Sequence, residues 1–388
     1  MQNTALTDDW KALRDQILSE AKLIVLKVGS AVLTSDEGLD LRVVNRLADQ
    51  IAALHDHGRE FILVSSGAVA AGKKFLGLER GELSLPEKQA AAAIGQSRLM
   101  HSYDEAFERY KKTTAQILLT RDDLRSRHRF LNARNTFATL LQSNIIPVVN
   151  ENDTVVVQEL KFGDNDFLAT LILNLVRADL FINVTSAEGV FSANPALEQQ
   201  ARKLEVIPDI RELDLKKTCQ GKSNSGSGGM YSKVLAASRA SQLGVPTLIV
   251  SGSVSYILER VFNYETLGTW IMPAQKTIPQ KKFWLAYNLD PVGSIQLDRG
   301  AADALLLRGK SLLPAGVQKV NGNFSSGDLV RLLGPDDKQV GVGLTNFDAA
   351  EVKKIAGKKT SELELVLGHK VYNQAIVHRD NLLLDAVH

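Results

Sequence analysis

The chain has 388 residues, 44% of them apolar and 23% charged, a composition that excludes wholesale disorder or a coiled coil. That length exceeds what a single hydrophobic core sustains, so two domains are expected. A formal net charge of +2 is too small for general affinity to nucleic acid or anionic membrane. The single cysteine, Cys219, excludes an internal disulfide and has no CxxC or His companion that would suggest zinc.

The start, MQNTALTDDWKALRDQILSEAKL, mixes acidic and basic residues and lacks the apolar core of a signal peptide. Trp10, Leu13 and Ile17 recur at helical spacing behind Thr7 and Asp8, two candidate caps, so a short amphipathic helix is expected there. No apolar run approaches the length of a membrane span. With one cysteine and no leader, a cytoplasmic location is expected.

From residue 23 to about 250 the chain alternates short apolar runs with longer helical patterns, the rhythm of βαβ units in a parallel sheet covered on both faces. LIVLKVGS, EFILVSSGA, TAQILLT, IIPVVNEND, LFINVTS and PTLIVSG are the strand candidates. Helical patterns fall at 42–57, 85–110, 132–142, 167–177 and 230–243. Beyond residue 266, Pro273 and Pro279 flank AQKTI, which reads as a linker. GSIQLD, ALLLRG, SSGDLVRLLG, QVGVGL and QAIVHRD follow as short strand-like segments, with one helix expected at 348–355. The expected organisation is an α/β domain over 1–272, with a parallel-rich sheet between helices, a linker over 273–282 and a small β-rich barrel over 283–388. No internal repeat is visible.

In open α/β sheets ligands bind beyond the carboxyl ends of the strands, and the unusual polar residues of this chain sit at those ends. Lys27 lies on an apolar strand just before a Gly-Ser turn. A buried ammonium is costly unless an anion offsets it, and Gly29 with Ser30 would let backbone N–H groups approach phosphate. The alternative is an edge-strand lysine reaching solvent. Ser65, Ser66 and Gly67 join a second strand to a helix whose N-terminus favours an anion. In SNSGSGGMYSK the cluster Ser227, Gly228 and Gly229 precedes the helical pattern that opens with Met230, Tyr231 and Ser232. Lys233, one turn on, can lean back toward whatever the loop holds. The alternative there is a flexible loop with a surface lysine. NEND and GDND, bracketing 150–166, crowd carboxylates and amides that demand cations or donors, or else are capping residues of a solvated loop. The P-loop, the dinucleotide fingerprint and the protein-kinase signatures are absent. Two lysines on phosphate-friendly turns and two carboxylate-rich loops suit phosphoryl transfer, which needs mainly alignment and charge neutralisation.

KVGSAVLT, VSSGAVAAG, GQSRL at 95–99, RFLNARNT at 129–136, PVVNENDTV, GDNDFLA and GSGGMYSK, in this order, closely resemble the amino acid kinase family, and within it the members that phosphorylate glutamate. GAADALLLRGKSLLPAGV and GNFSSGDLV look like the PUA domain that many bacterial members carry. The resemblance implies transfer of the γ-phosphoryl of ATP to the side-chain carboxylate of L-glutamate, for proline biosynthesis. It implies Lys27 and Lys233 as stabilisers of the transferring group, Asp166 as their orienter with Asp164 beside it, and Ser66, Asp153 and Asn165 as glutamate-binding residues. Thr185 and Ser186 fall at the expected nucleotide site, where the family commonly has Thr-Asp, and GSGG stands where it has GTGG. Mg²⁺ is expected to ride on the ATP phosphates, with no all-protein metal cage. The resemblance also implies proline as a feedback inhibitor and a dimer or tetramer, and leaves the next enzyme of the pathway as a possible partner. Rival readings are a kinase of acetylglutamate, aspartate, carbamate or a nucleoside monophosphate, and an RNA-binding or RNA-modifying protein. The nearly balanced charge of the tail, without a basic-aromatic stripe, argues against RNA binding as the main role.

Overall fold

The computed structural model describes residues 10–35, 38–77, 83–156, 165–219 and 229–384. The chain divides into two compact units, Met1–Thr277 and Ile278–His388. In chain order the strands are β1 Leu23–Val28, β2 Thr34–Ser35, β3 Gly38–Leu39, β4 Glu60–Ser65, β5 Thr114–Leu119, β6 Ile146–Glu151, β7 Leu180–Thr185, β8 Val206–Ile207, β9 Thr247–Ser251, β10 Thr269–Ile271, β11 Gly293–Leu297, β12 Val317–Gly322, β13 Leu329–Leu333, β14 Gln339–Thr345 and β15 Val377–Leu384.

The first unit is built on an eight-stranded sheet of order β5-β6-β4-β1-β7-β9-β10-β8. All six strand candidates of this unit are strands in it, and β5 through β9 pair in parallel. The sheet is parallel-rich, as expected, with one antiparallel pairing at its far edge: β10 runs antiparallel to β9, and the two-residue β8 pairs with β10. Those edge strands have three and two residues, too few for a periodic pattern to register. Strand alternation sorts the inward side chains. Ile24, Leu26, Val28, Phe61, Leu63, Ile146, Val148, Ile182 and Val184 face the main core with residues of the helices Trp10–Glu20, Leu41–Asp56, Leu85–Glu108 and Ile257–Phe262. The alternate residues face the helices Asn165–Val176 and Met230–Gln242.

The N-terminal helix is part of this core. Trp10 and Leu18 are buried in it, and Arg14, also buried, donates to Thr266 Oγ1 at 2.7 Å while lying over the Trp10 ring. Its expected caps, Thr7 and Asp8, lie outside the described residues. Asp40 caps Leu41–Asp56 by accepting from Arg42 N, and Glu87 reaches back to the Ser84 N–H at 2.8 Å where Leu85–Glu108 begins. Among the described residues no helix is long and apolar enough to cross a membrane.

The second unit holds a five-stranded sheet, β12-β11-β13-β14-β15, around its own core. ALLLRG is not a strand. It forms the second half of the helix Arg299–Arg308, which Asp298 caps by accepting from Ala301 N and whose buried Ala302 and Leu305 are three residues apart. Leu306 and Leu307 point outward, so the apolar run imitates a strand by composition only. The helix Gln280–Asn288 starts within the segment expected as linker. It is tied to β15 by Lys281 Nζ donating to Asn381 Oδ1 and Lys282 Nζ to Arg379 O, both at 2.8 Å.

Candidate active site

Lys27 is the fifth residue of β1 and points, by strand alternation, at the face that carries Asn165–Val176 and Met230–Gln242. Its register neighbour on β7 is Asn183, which shares that face. Lys233 comes from the first turn of Met230–Gln242, and Asp166 from the first turn of Asn165–Val176, where a carboxylate also suits the helix dipole. Lys27 Nζ lies 2.6 Å from Asp166 Oδ1 and Lys233 Nζ lies 3.2 Å from Asp166 Oδ2. Asn183 Nδ2 donates to Oδ1 at 2.8 Å, and Ser232 Oγ lies 2.8 Å from Oδ2 and 2.9 Å from Gly229 O. Lys27 and Asn183 thus meet one oxygen of this fully buried carboxylate and Lys233 the other, where the single Ser232 proton is shared with Gly229 O. Burial pushes the Asp166 carboxyl up, but the Lys27 and Lys233 ammoniums outweigh it and hold the group below its ordinary value.

On the other side of the same helix start, Asn165 joins a second network. Its Nδ2 lies 2.9 Å from Ser65 O, 2.9 Å from Ser66 Oγ and 3.0 Å from Asn150 Oδ1. Asn150 Oδ1 also accepts from the Glu151 N–H at 2.9 Å, and Asn150 Nδ2 donates to Gln96 Oε1 at 2.8 Å. Tyr103, fully buried, places its hydroxyl 3.0 Å from Ser65 Oγ. Ser65 and Asn150 point to the main-core face because they share parity with Leu63 and Val148. Gly67, which follows, has φ +99°, a left-handed conformation that turns β4 sharply into the helix Ala68–Lys73. Two networks, one cationic and one of amides and hydroxyls, therefore meet at consecutive residues, Asn165 and Asp166.

The profile of the Amino acid kinase family matches residues 22–251, and that of the PUA domain residues 293–367. Among curated relatives, "Glutamate 5-kinase" of Maridesulfovibrio salexigens is 56% identical over 96% of this chain and 99% of its own length. Those of Oleidesulfovibrio alaskensis and Nitratidesulfovibrio vulgaris (strain DP4) are 55% and 54% identical over 98% of this chain and all of theirs. The chain belongs to the amino acid kinase family.

Of the residues this amino acid kinase was expected to use, Lys27, Lys233, Asp166 and Ser232 come together in one hydrogen-bonded cluster, and Ser66 and Asn165 in the other. Asp153 lies half-buried in the turn that follows β6, three residues beyond Asn150. Thr185 is buried at the end of β7, two residues beyond Asn183, and Ser186 is exposed. The Gly29 N–H donates to Val184 O at 3.0 Å, and the position a Cβ would take there lies 3.6 Å from Val184 O and 3.9 Å from Lys27 Nζ. Gly229 precedes the helix that Met230 opens, and Tyr231 is exposed. Asp164, Ser227 and Gly228 lie outside the described residues.

Among the described residues, four members of these networks, Asn183, Asn150, Gln96 and Tyr103, escaped the sequence reading as site residues. Asn183 sits in LFINVTS at the parity of Thr185, Asn150 was read only as part of NEND, and Gln96 only as part of GQSRL. For the three amides, a polar side chain at an otherwise apolar strand or helix position was the available signal. Among the described residues no group of three His, Cys, Asp or Glu side chains could hold a metal ion.

Proposed function

We propose that this chain transfers the γ-phosphoryl group of Mg·ATP to the side-chain carboxylate of L-glutamate, giving L-glutamyl 5-phosphate and ADP, the first step of proline biosynthesis. The observation that carries the reading is the convergence of Lys27 and Lys233 on the two oxygens of Asp166, beside an amide and hydroxyl network. Relatives named glutamate 5-kinase, more than half identical over nearly the whole chain, support the choice of substrate.

Glutamate's side chain, with an ordinary pKa of about 4.3, is already ionised at neutral pH, so the reaction needs no general base. As a glutamate Oε bonds to the γ-phosphorus, the bond from that phosphorus to the β–γ bridging oxygen breaks and the electron pair leaves with ADP. No proton moves. The obstacle is repulsion between two anions and the charge spread over the γ-phosphoryl oxygens, which Lys27 and Lys233 neutralise from two sides. Asp166 holds the ammoniums in place. It acts as the orienting group for both, and Mg²⁺, when bound, would be held by the ATP phosphates and would help neutralise their charge.

On the acceptor side, Ser66 Oγ accepts from Asn165, which turns its single proton toward the α-carboxylate of glutamate. Asn165 spends its amide nitrogen on protein acceptors, so its oxygen is the atom that meets the α-ammonium, together with the Asp153 carboxylate. Gly67 lets backbone approach the substrate, while Gly29, Thr185, Ser186 and the segment Gly229, Met230, Tyr231, Ser232 and Lys233 take ATP. Asp164, Ser227 and Gly228 are assigned by the resemblance alone. Proline is proposed as a feedback inhibitor and a homo-oligomer as the working form.

Incubation of the protein with Mg·ATP, L-glutamate and hydroxylamine is expected to yield γ-glutamyl hydroxamate, with acetylglutamate and aspartate giving far less. Absence of any acyl phosphate from glutamate would refute the reading.

A further inference from the structure

The helix Leu85–Glu108 carries Gln89, Gln96 and Tyr103 at seven-residue intervals, close to two turns each, so the three form one polar stripe along the helix. Each reaches a different segment of the acceptor side. Gln89 Nε2 donates to Val156 O at 2.9 Å, just beyond NEND; Gln96 Oε1 accepts from Asn150 at 2.8 Å; Tyr103 meets Ser65 at 3.0 Å. The helix is also seated hard against the segment after Ser66 and Gly67, since a Cβ on Gly95 would come within 1.7 Å of Ala68 O.

The polarity of the Gln96 chain is fixed by a group that cannot flip. The Glu151 backbone N–H can only donate, so Asn150 must turn Oδ1 toward it and Nδ2 toward Gln96. The same Oδ1 receives Asn165 Nδ2, whose other acceptors are Ser65 O and Ser66 Oγ. Gln96 therefore holds the first link in a line that ends on the Ser66 hydroxyl. Its own Nε2 is buried with no hydrogen-bond partner among the described residues, a cost that an apolar side chain filling the same space would not carry.

We propose that Gln96 is a positioning residue for the phosphoryl acceptor: it locks the Asn150 amide and, through Asn150 and Asn165, the orientation in which Ser66 meets the substrate. The proposal rests on glutamate being that acceptor.

The test is steady-state hydroxamate trapping with glutamate and ATP varied separately, on the unaltered protein, Gln96→Met and Gln96→Glu. Gln96→Met removes the acceptor at nearly constant volume and is expected to raise the KM for glutamate about tenfold while the KM for ATP stays within about twofold. Gln96→Glu keeps an oxygen facing Asn150 and is expected to recover most of that loss. In an Asn150→Ala background, Gln96→Met is expected to add nothing further, because the link it serves is already gone. Should Gln96→Met fail to fold, Gln96→Asn, whose amide is one methylene too short to reach, supplies the same comparison. An unmoved KM for glutamate, an equal rise in both KM values, or full additivity with Asn150→Ala overturns the proposal while normal turnover of the unaltered protein leaves the glutamate reading standing. No acyl phosphate from the unaltered protein overturns both.

Discussion

At the residue scale the buried ionic contacts converge on one carboxylate. Asp166 is buried among Lys27, Lys233, Asn183 and Ser232, and a carboxylate so placed fixes two long, flexible side chains that would otherwise sample many rotamers. Lys27 and Lys233 were legible in the sequence because each breaks a local rule, one as a charge on an apolar strand and one as a cation just after clustered glycines. Asn183 was not, because a single amide inside LFINVTS carries no spacing signal and gains meaning only from its register opposite Lys27. Lys27→Ala and Lys233→Ala are each expected to lower kcat by about 10²–10³-fold with a much smaller change in the KM for glutamate, since the role proposed for both is to neutralise charge that develops during transfer. Initial-rate kinetics check this, and a loss confined to the KM would contradict it.

At the element scale two features set the site. One is strand parity, which sends Lys27 and Asn183 to one face of the sheet and Ser65 and Asn150 to the other, so that the helix start Asn165–Asp166 is reached by both. The other is the crossing of Ala68–Lys73 with Leu85–Glu108. A Cβ at Gly72 would lie 1.9 Å from Ala91 O, and one at Gly95 1.7 Å from Ala68 O, so the two backbones touch where any larger residue would wedge them apart. Gly95→Ala is expected to destabilise the fold by about 1–3 kcal/mol, the usual cost of overpacking, despite the better helix propensity of alanine. It is also expected to weaken glutamate binding by shifting Gln96. Chemical denaturation together with glutamate titration reads both effects, and a stabilised variant would contradict the close crossing as the reason for glycine. GQSRL could be recognised as a motif, but its reason lies in a helix pairing that no local pattern displays.

At the scale of the whole molecule, the apolar clusters of the two units share no residue among the described residues, and both site networks lie within the first. The chain ending at Thr277 is therefore expected to fold and to retain kcat/KM for glutamate within about threefold, as an independent domain should. Circular dichroism melting and the hydroxamate assay decide it, and failure of the shortened chain to fold would show that the second unit is required. The sequence by itself determined the alternation of strand and helix, the six parallel strands and the positions of the two lysines, because periodicity and local charge are properties of neighbouring residues. It did not determine the antiparallel edge β10 and β8, the helix formed by ALLLRG, or the roles of Asn183, Asn150 and Gln96. Those depend on which strand lies beside which and which helix face meets them, and hydrogen bonds between residues 15 to 100 positions apart leave no mark on the chain until it is folded.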